Sequence, residues 1–365
     1  MPRKIRWPEV ALALLLVAPL AAQTTLREAA GHRLLVGAAA DADEYGQPNR
    51  LLDAAYAEAL ASQFNMLEAE NAMKWDAVEP VSGTFEFSPG DKLVAFAEAH
   101  RMKVRGHNLC WHRQVPAWLT ALAKTATPAQ LAAIFERHIA AETGHYRGRV
   151  FAWDVVNEAF DNPHGAGEVG LRDSIWYNRP GIGVAGTGFI ERAFRIAHAA
   201  DPDAKLFYND YGIETPGPKL SAVLAMAKDF LARGVPLHGI GFQAHLMLNG
   251  APTAAELARS MKEVAALGLE IHITELDVRV PVDASGNASA ADLAAQAELY
   301  RRVVSVCLAQ PACTAVQVWG VSDGHSWVPH AYPGFGAALL LDAQYRPKPA
   351  LTAVMEALRN RGQVQ

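Results

Sequence analysis

Two glutamates that each close an apolar segment are the residues of this sequence best suited to chemistry. The segment "FAWDVVNEAF" (151–160) ends in Asn157 and Glu158, and "EIHITELDV" (270–278) contains Glu275. Because burying a lone carboxylate is costly, Glu158 is expected either at a rim where it is neutralised or in a site that uses it. Glycoside hydrolysis needs such a pair, since one carboxyl group protonates the leaving oxygen and the other attacks or activates water. Structural carboxylates are the alternative.

Apolar runs that predict strands recur along the whole chain. They are "LLVGAAA" (34–40), "NMLEAE" (65–70), "KVRGHNLCW" (103–111), "FAWDVVNEA" (151–159), "AKLFYND" (204–210), "GIGFQAHL" (239–246), "EIHITELDV" (270–278) and "CTAVQVWGVSD" (313–323). Stretches with helical spacing separate these runs, for example 218–234, 253–268 and 288–310. Thr127 with Gln130 and Thr253 with Glu256 predict capping boxes at the starts of two helices. This alternation predicts an α/β fold, a (β/α)8 TIM barrel, with a doubly wound open sheet as the alternative.

Several predicted strands start apolar and finish in polar or aromatic side chains. These are Glu70 with Asn71, His107, Asn157 with Glu158, Asn209 with Asp210, Gln243 with His245, Glu275 with Asp277, and Trp319. In a barrel the carboxyl ends of the strands converge on one face, where the catalytic residues of such enzymes lie. The sequence therefore predicts a polar cleft at that face, which contains Glu158.

The N-terminal 22 residues are predicted to be a secretory signal peptide. Arg3, Lys4 and Arg6 precede an apolar stretch over residues 10–20, and two alanines follow it. An uncleaved anchor is the alternative. Secretion to the periplasm or the medium is therefore expected, with no membrane contact after cleavage, and residues 23–365 are expected to form a single (β/α)8 catalytic domain.

The charge of the chain argues against a nucleic-acid partner. The formal net charge is −5 at pH 7, and no basic patch or charge run is visible. Of the three cysteines, Cys307 and Cys313 lie close together in a chain bound for an oxidising compartment, which favours a disulfide. Cys110 lies in an apolar run and is expected to be a buried thiol.

Two motif matches suggest other chemistry, and their context argues against it. "GVSDG" (320–324) fits the nucleophile motif of serine hydrolases, but an aromatic loop follows it and no histidine lies beyond His330. "GIGVAG" (181–186) fits a dinucleotide-binding motif, but no strand precedes it. The 13 histidines show no H-E-x-x-H pattern, and no metal or cofactor is expected.

Seven segments at the ends of the predicted strands carry a family resemblance. They are "ENAMKW" (70–75), "RGHNLCWH" (105–112), "WDVVNE" (153–158), "FYNDYGIE" (207–214), "GFQAHL" (241–246), "ITELDV" (273–278) and "VWGVSDGHSW" (318–327). Together they resemble glycoside hydrolase family 10, the endo-β-1,4-xylanases. The likeness runs from about residue 30 to the last helix, with the motifs in order.

The resemblance implies a retaining mechanism with Glu158 as acid/base and Glu275 as nucleophile. It implies that Asn157 hydrogen-bonds the 2-hydroxyl of the sugar in the −1 subsite. His245 would orient Glu275, and Asp277 would support His245. The glycone side would be lined by Glu70, Asn71, Lys74, His107, Trp111, Gln114 and Gln243, with Trp319 and Trp327 as stacking walls, while Asn209 and Tyr211 would face the aglycone side. An acid must hold a proton near the working pH, so the pKa of Glu158 is expected to be the higher of the two.

The implied substrate is xylan or its oligosaccharides, bound by a monomeric enzyme without a cofactor. Other β-1,4-glycanases and a non-catalytic sugar-binding barrel are the competing functions. The chain departs from the family pattern at Gly212, where asparagine is common, at Cys110, where an aliphatic residue is common, and in the glycine-rich loop at 179–188.

Overall fold

The computed structural model of the protein describes residues 24–42, 46, 48–162 and 169–360. The predicted signal peptide at 1–22 lies outside these residues. None of the helices in the described ranges is both long and apolar enough to cross a membrane.

Eight strands build the central sheet. They are β1 (Leu35–Ala40), β2 (Met66–Ala69), β3 (Lys103–His107), β4 (Ala152–Asn157), β5 (Lys205–Asp210), β6 (Gly239–Phe242), β7 (Glu270–Pro281) and β8 (Cys313–Val318). Each strand pairs in parallel with the next, and β8 pairs in parallel with β1. The sheet is therefore a closed (β/α)8 barrel, which confirms the predicted fold and excludes the open sheet.

Helices connect the strands and cover the barrel. They are α1 (Leu26–Ala30), α2 (Ala54–Gln63), α3 (Trp75–Val78), α4 (Ser88–Ala99), α5 (Ala117–Leu122), α6 (Pro128–His145), α7 (Gly188–Ala200), α8 (Pro218–Ala232), α9 (Ala254–Ala265), α10 (Ala290–Ala309), α11 (Val328–Ala331) and α12 (Pro349–Arg359). The predicted capping boxes are present: Thr127 with Gln130 begins α6, and Thr253 with Glu256 begins α9.

Close packing between β3 and β4 explains a glycine in the sequence. Gly106 pairs with Trp153 across the two strands, and the Trp153 side chain is fully buried. A Cβ atom at Gly106 would lie 2.2 Å from Cε3 of the Trp153 ring, a distance that real Cβ atoms do not reach. The indole therefore fits only because residue 106 has no side chain.

Three strands end four or five residues before their predicted ends, at 107, 242 and 318 instead of 111, 246 and 323. β3 ends at His107, and β8 ends at Val318, so the polar residues beyond them lie in loops. β6 ends at Phe242, and a separate short strand, His245–Met247, pairs with the extended end of β7.

The disulfide between Cys307 and Cys313 is present, which confirms that prediction. Their Cα atoms are 5.3 Å apart, and the bond joins the end of α10 to the start of β8. A loop this short contributes roughly 2 kcal/mol in the chain-entropy picture. Cys110 is a free, buried thiol as expected, and burial raises its pKa.

Candidate active site

A cleft of about 830 Å³ lies at the carboxyl ends of the barrel strands. Of the residues predicted from the sequence, it is lined by Glu70, Asn71, Lys74, His107, Trp111, Gln114, Asn157, Glu158, Tyr211, Gln243, His245, Glu275, Trp319 and Trp327. The barrel thus brings together side chains that are up to 257 positions apart, from Glu70 to Trp327.

Glu158 lies one residue beyond β4, at the point where the strand ends in a turn. Its backbone is in the left-handed region (φ 56°), and its amide donates to the carbonyl of Asn209 on β5 at 2.9 Å. This turn directs the side chain into the cleft. Trp111 Nε1 donates to Glu158 Oε2 at 3.0 Å, and Gln243 Nε2 donates to Oε1 at 3.0 Å.

The surroundings of Glu158 shift its pKa, and opposing effects contribute to the shift. Burial acts to raise it, but the hydrogen bonds from Gln243 and Trp111 favour the ionised form. Together with the positive charge of Arg172, they hold the pKa of Glu158 below its usual value. This direction differs from that expected of an acid that must hold a proton near the working pH, because two N–H groups are aimed at the carboxylate.

Glu275 lies on β7, and polar contacts hold both of its carboxylate oxygens. Oε1 accepts a 2.7 Å hydrogen bond from Asn209 Nδ2, and Oε2 lies 2.9 Å from His245 Nε2. The residue is only 4% exposed. Its carboxylate is therefore fixed in orientation at the wall of the cleft.

His245 links Glu275 to a second carboxylate. Its Nδ1 lies 2.8 Å from Asp277 Oδ2, and that same oxygen accepts a 2.8 Å hydrogen bond from Trp327 Nε1. Burial acts to lower the pKa of His245, but the charges and hydrogen bonds of Asp277 and Glu275 raise it well above its usual value. A charged imidazolium between two carboxylates fixes the position of Glu275, as the family resemblance implied.

Three side-chain amides connect the two glutamates. Asn157 Oδ1 accepts hydrogen bonds from Asn209 Nδ2 at 2.9 Å and from Gln243 Nε2 at 3.1 Å. Asn209 also donates to Glu275, and Gln243 also donates to Glu158. One continuous hydrogen-bond network therefore sets the positions of both carboxylates.

Asn209 differs from its implied role on the aglycone side. It is fully buried, and it does not line the cleft. In addition to the donations above, its Oδ1 accepts from Thr274 Oγ1 at 2.7 Å. The Asn209 side chain points into the barrel beneath the two glutamates, where it supports Glu275.

Lys74 and the tryptophans form one wall of the cleft. The Lys74 ammonium lies 5.1 Å from the ring centroid of Trp111 and 5.9 Å from that of Trp319, and it donates to Asn71 Oδ1 at 3.2 Å. Burial lowers the pKa of Lys74, although the charge of Glu70 opposes this. The wall offers aromatic faces and hydrogen-bond donors, which suit a neutral sugar.

A buried charged cluster lies inside the barrel below the cleft. Arg105 pairs with Asp154 and lies 3.4 Å from Glu68, and His107 Nδ1 is 3.0 Å from Asp154 Oδ2. Ligand atoms of Glu68, His107 and Asp154 lie within 4.8 Å of one another, a spacing that could hold a metal ion. The Arg105 guanidinium supplies positive charge at this position, so the cluster is an ion-pair network that supports His107.

Some side chains that line the cleft were not predicted from the sequence. They are Arg113, Asn162, Glu214, Thr215, Arg279 and Tyr332. A signal existed for two of them. Arg279 lies two residues beyond Asp277 on an extended strand, so the two side chains share a face, and Tyr332 belongs to the aromatic loop that contains Trp327.

This chain is similar to known proteins over most of its length. The sequence model of the family described as "Glycosyl hydrolase family 10" matches residues 25–357. Endo-1,4-beta-xylanase B of Thermotoga neapolitana is 40% identical over 306 residues, which are 84% of this chain and 84% of that protein. The crystal structure of native xylanase 10B from Thermotoga maritima has a TM-score of 0.83 and 40% identity, covering 92% of this chain and 98% of that chain. Xylanase 10B from Thermotoga petrophila RKU-1, solved in complex with xylobiose, has a TM-score of 0.83 and 39% identity, covering 92% and 97%.

Proposed function

The chain belongs to glycosyl hydrolase family 10, and from this premise we propose that it is an endo-1,4-β-xylanase that cleaves internal bonds of xylan with retention of configuration. The observation that carries the proposal is the pair Glu158 and Glu275, held in one cleft by a shared amide network. The similarity to endo-1,4-beta-xylanases over most of the chain supports xylan as the substrate.

In the first step Glu275 acts as the nucleophile. One of its oxygens attacks the anomeric carbon, the bond to the leaving oxygen breaks, and Glu158 gives its proton to that oxygen. The positive charge on His245 and the hydrogen bond from Asn209 hold Glu275 as an oriented carboxylate. The product of this step is a covalent glycosyl-enzyme.

In the second step Glu158 acts as the base. It removes a proton from a water molecule, the water attacks the anomeric carbon, and the bond to Glu275 breaks. The Asn157 amide donates to Glu158 at 3.4 Å and accepts from Asn209, which also donates to Glu275. In this position Asn157 would hydrogen-bond the 2-hydroxyl of the −1 sugar. Trp319 and Trp327 provide the aromatic surface for the sugar ring.

The direct test is parallel digestion of xylan, cellulose and mannan with sizing of the products. We expect short oligosaccharides of mixed length from xylan, as internal cleavage requires. Main activity on cellulose or mannan would favour another β-1,4-glycanase, and binding without release of reducing sugar would favour a non-catalytic barrel.

Selectivity for xylose over glucose is expected from two fixed side chains. Glucose carries an exocyclic CH₂OH group that xylose lacks, and we propose that Trp327 and Lys74 crowd its position. Both are held in place, Trp327 by Asp277 at 2.8 Å and Lys74 by Asn71 at 3.2 Å. Since a small group in such a pocket changes kcat/KM by about 10–200-fold, xylo-oligosaccharides should be preferred by a factor in that range. Equal kcat/KM on xylo- and cello-oligosaccharides of one length would contradict this.

The pH dependence of the enzyme should respond to Trp111. Glu158 must be protonated to act as the acid, so kcat/KM on xylo-oligosaccharides falls as the pH rises through the pKa of Glu158. Trp111→Phe keeps an aromatic ring but removes the donor to Glu158 Oε2, which destabilises the carboxylate and raises its pKa. The basic limb of the pH profile should therefore move to higher pH.

Trp118→Phe is the matched control for this change. Its Nε1 donates to the carbonyl of Glu79 at 2.9 Å, and Trp118 is not part of the cleft lining. The control profile should coincide with that of the unmodified enzyme. A basic limb that stays in place in Trp111→Phe, or moves equally in both variants, would show that this hydrogen bond does not set the pKa of the acid.

We also propose that the protein is secreted and acts as a monomer. The support for secretion is the sequence of residues 1–22, with cleavage expected after Ala22. N-terminal sequencing of material from the culture medium and the periplasm tests the first proposal, and light scattering in solution tests the second.

A further inference from the structure

A buried lysine behind the aglycone side of the cleft has no role in the mechanism above. Lys219 is the second residue of α8 and is 2% exposed. Its ammonium lies 2.7 Å from Asp210 Oδ1, 3.3 Å from Asn162 Oδ1 and 3.8 Å from the ring centroid of Tyr211. A lysine at the start of a helix ordinarily extends into solvent, so these contacts call for an explanation.

Two physical effects oppose this placement. The partial positive charge at a helix N-terminus repels a cation, and removing an ammonium from water is costly. Asp210 offsets both effects because its carboxylate is fully buried beside Lys219. Burial raises the pKa of Asp210 to about 7, and the Lys219 charge opposes that rise. Each of the two side chains therefore favours the charged form of the other.

The pair reaches the turn that carries Glu158. Asp210 Oδ2 accepts a 2.5 Å hydrogen bond from the Tyr208 hydroxyl. That hydroxyl in turn accepts from the backbone amides of Ala159 at 3.0 Å and Phe160 at 3.2 Å. These are the two residues that follow Glu158, whose own φ is positive. Through Tyr208, Asp210 therefore fixes the backbone of the two residues that follow Glu158.

The pair also holds Tyr211, which lines the cleft. The Tyr211 amide donates to Asp210 Oδ1 at 2.9 Å, and the Lys219 ammonium lies against the ring. The Tyr211 hydroxyl accepts from Arg172 at 3.1 Å and from Asn162 at 3.2 Å. The ring is therefore fixed at its face, its backbone and its hydroxyl.

We propose that Lys219 is a positioning residue that fixes Tyr211 at the aglycone side of the cleft and, through Asp210 and Tyr208, fixes the turn that carries Glu158. The inference rests on the proposed function, because an aglycone side exists only for a glycan substrate. Lys219 contacts no reacting group in this scheme. Replacing Lys219 should lower kcat/KM on substrates that need aglycone binding and protonation of the leaving group.

Two substrates separate this role from a general role in folding. Xylotetraose needs both an aglycone contact and protonation of its leaving group. A 2,4-dinitrophenyl xylobioside needs little of either in the step that kcat/KM reports, since its phenol is acidic and it has no aglycone sugar. For Lys219→Met, kcat/KM on xylotetraose should fall roughly tenfold, as misplacement of positioning groups can cost up to 10²-fold. kcat/KM on the aryl substrate should stay within about twofold of the unmodified enzyme.

A double variant separates the effect of Lys219 on activity from its effect on stability. Lys219→Met leaves the Asp210 carboxylate buried without its cation, which destabilises the protein. Asp210→Asn with Lys219→Met removes both charges, so the melting temperature should recover toward that of the unmodified enzyme. The defect on xylotetraose should remain, because the cation against Tyr211 is still missing. Lys228→Met, an exposed position on the same helix, is the control for loss of one positive charge.

Each outcome decides the matter. The inference is overturned if the double variant recovers xylotetraose activity together with stability, if both substrates lose activity equally, or if Lys228→Met reproduces the effect. A persistent defect on xylotetraose alone supports it. If the unmodified enzyme does not cleave xylotetraose at all, the proposed function fails first, and this inference fails with it.

Discussion

Replacing Glu275 by alanine is expected to remove nearly all hydrolysis of xylan and of every aryl glycoside. Without the carboxylate no glycosyl-enzyme can form, and kcat should fall on the order of 10⁵-fold, as in other enzymes that lose a covalent nucleophile. Asn209 and His245 would remain in place but would have no group to orient. Initial rates on xylan and on aryl xylobiosides measure the loss.

Glu158→Ala is expected to behave differently. Activity on xylan should fall about 10²–10⁴-fold, because a poor leaving group needs the proton. An aryl xylobioside with an acidic phenol should still glycosylate Glu275, which gives a burst of phenol. The second step then lacks its base, so turnover is slow, and added azide should accelerate it.

The two variants together assign the roles. Glu98→Ala, an exposed position paired with Arg149 on the surface, should leave all rates unchanged. A burst from Glu275→Ala with an inert Glu158→Ala would reverse the assignment. An α-anomer as the first product by NMR would reject retention itself.

Replacing Arg105 by methionine is expected to cause a large loss of stability. Arg105, Glu68 and Asp154 are all fully buried, and the guanidinium pairs with both carboxylates. Removing one partner of a buried ion pair typically costs 3–5 kcal/mol, because the remaining charge is left uncompensated. We expect a loss in this range in the free energy of unfolding at neutral pH, measured by urea titration.

The loss of stability in Arg105→Met should become smaller as the pH is lowered. Burial and the charge of Asp154 raise the pKa of Glu68 well above its usual value in the folded protein. The folded state therefore holds more protons than the unfolded state between the two pKa values, so stability falls as the pH rises through that window. Without Arg105 the window widens, and the difference between variant and unmodified protein should shrink as the pH is lowered toward the unfolded pKa.

Arg149→Met is the control for this experiment. Arg149 forms a surface pair with Glu98 at 2.8 Å, and such pairs contribute about 0–1 kcal/mol. An equal effect of the two substitutions would show that burial of the cluster is not the reason for its contribution. A loss in Arg105→Met that does not change with pH would exclude Glu68 as the group that titrates.

The sequence by itself determined the number and order of the barrel strands and identified Glu158 and Glu275 as the two glutamates of the site. Apolar runs of strand length are local signals, and so are the capping boxes at Thr127 and Thr253, which the structure contains as predicted. The motifs at the strand ends carried the family resemblance, which the family match over residues 25–357 confirms.

The orientation of individual polar side chains was not available from the sequence. The resemblance implies an aglycone-side position for Asn209, but its side chain points into the barrel beneath Glu275. The acid role of Glu158 predicts a pKa higher than that of Glu275, but the donors Gln243 and Trp111, which lie beyond the ends of β6 and β3, favour the ionised form of Glu158. A short amide–carboxylate distance depends on how neighbouring strands are staggered, which periodicity does not specify.

The partners within the buried charged networks behind the site depend on closure of the barrel. Lys219 has the sequence context of an exposed lysine in a first helical turn, and nothing in that context marks Asp210 and Tyr211 as its partners. The Glu68–Arg105–Asp154 cluster likewise joins three different strands. Local sequence specifies where each strand and helix forms, because backbone propensity and apolar period act over a few residues. Which charges share a buried space depends on strand stagger and closure, which only the packing of the whole chain determines.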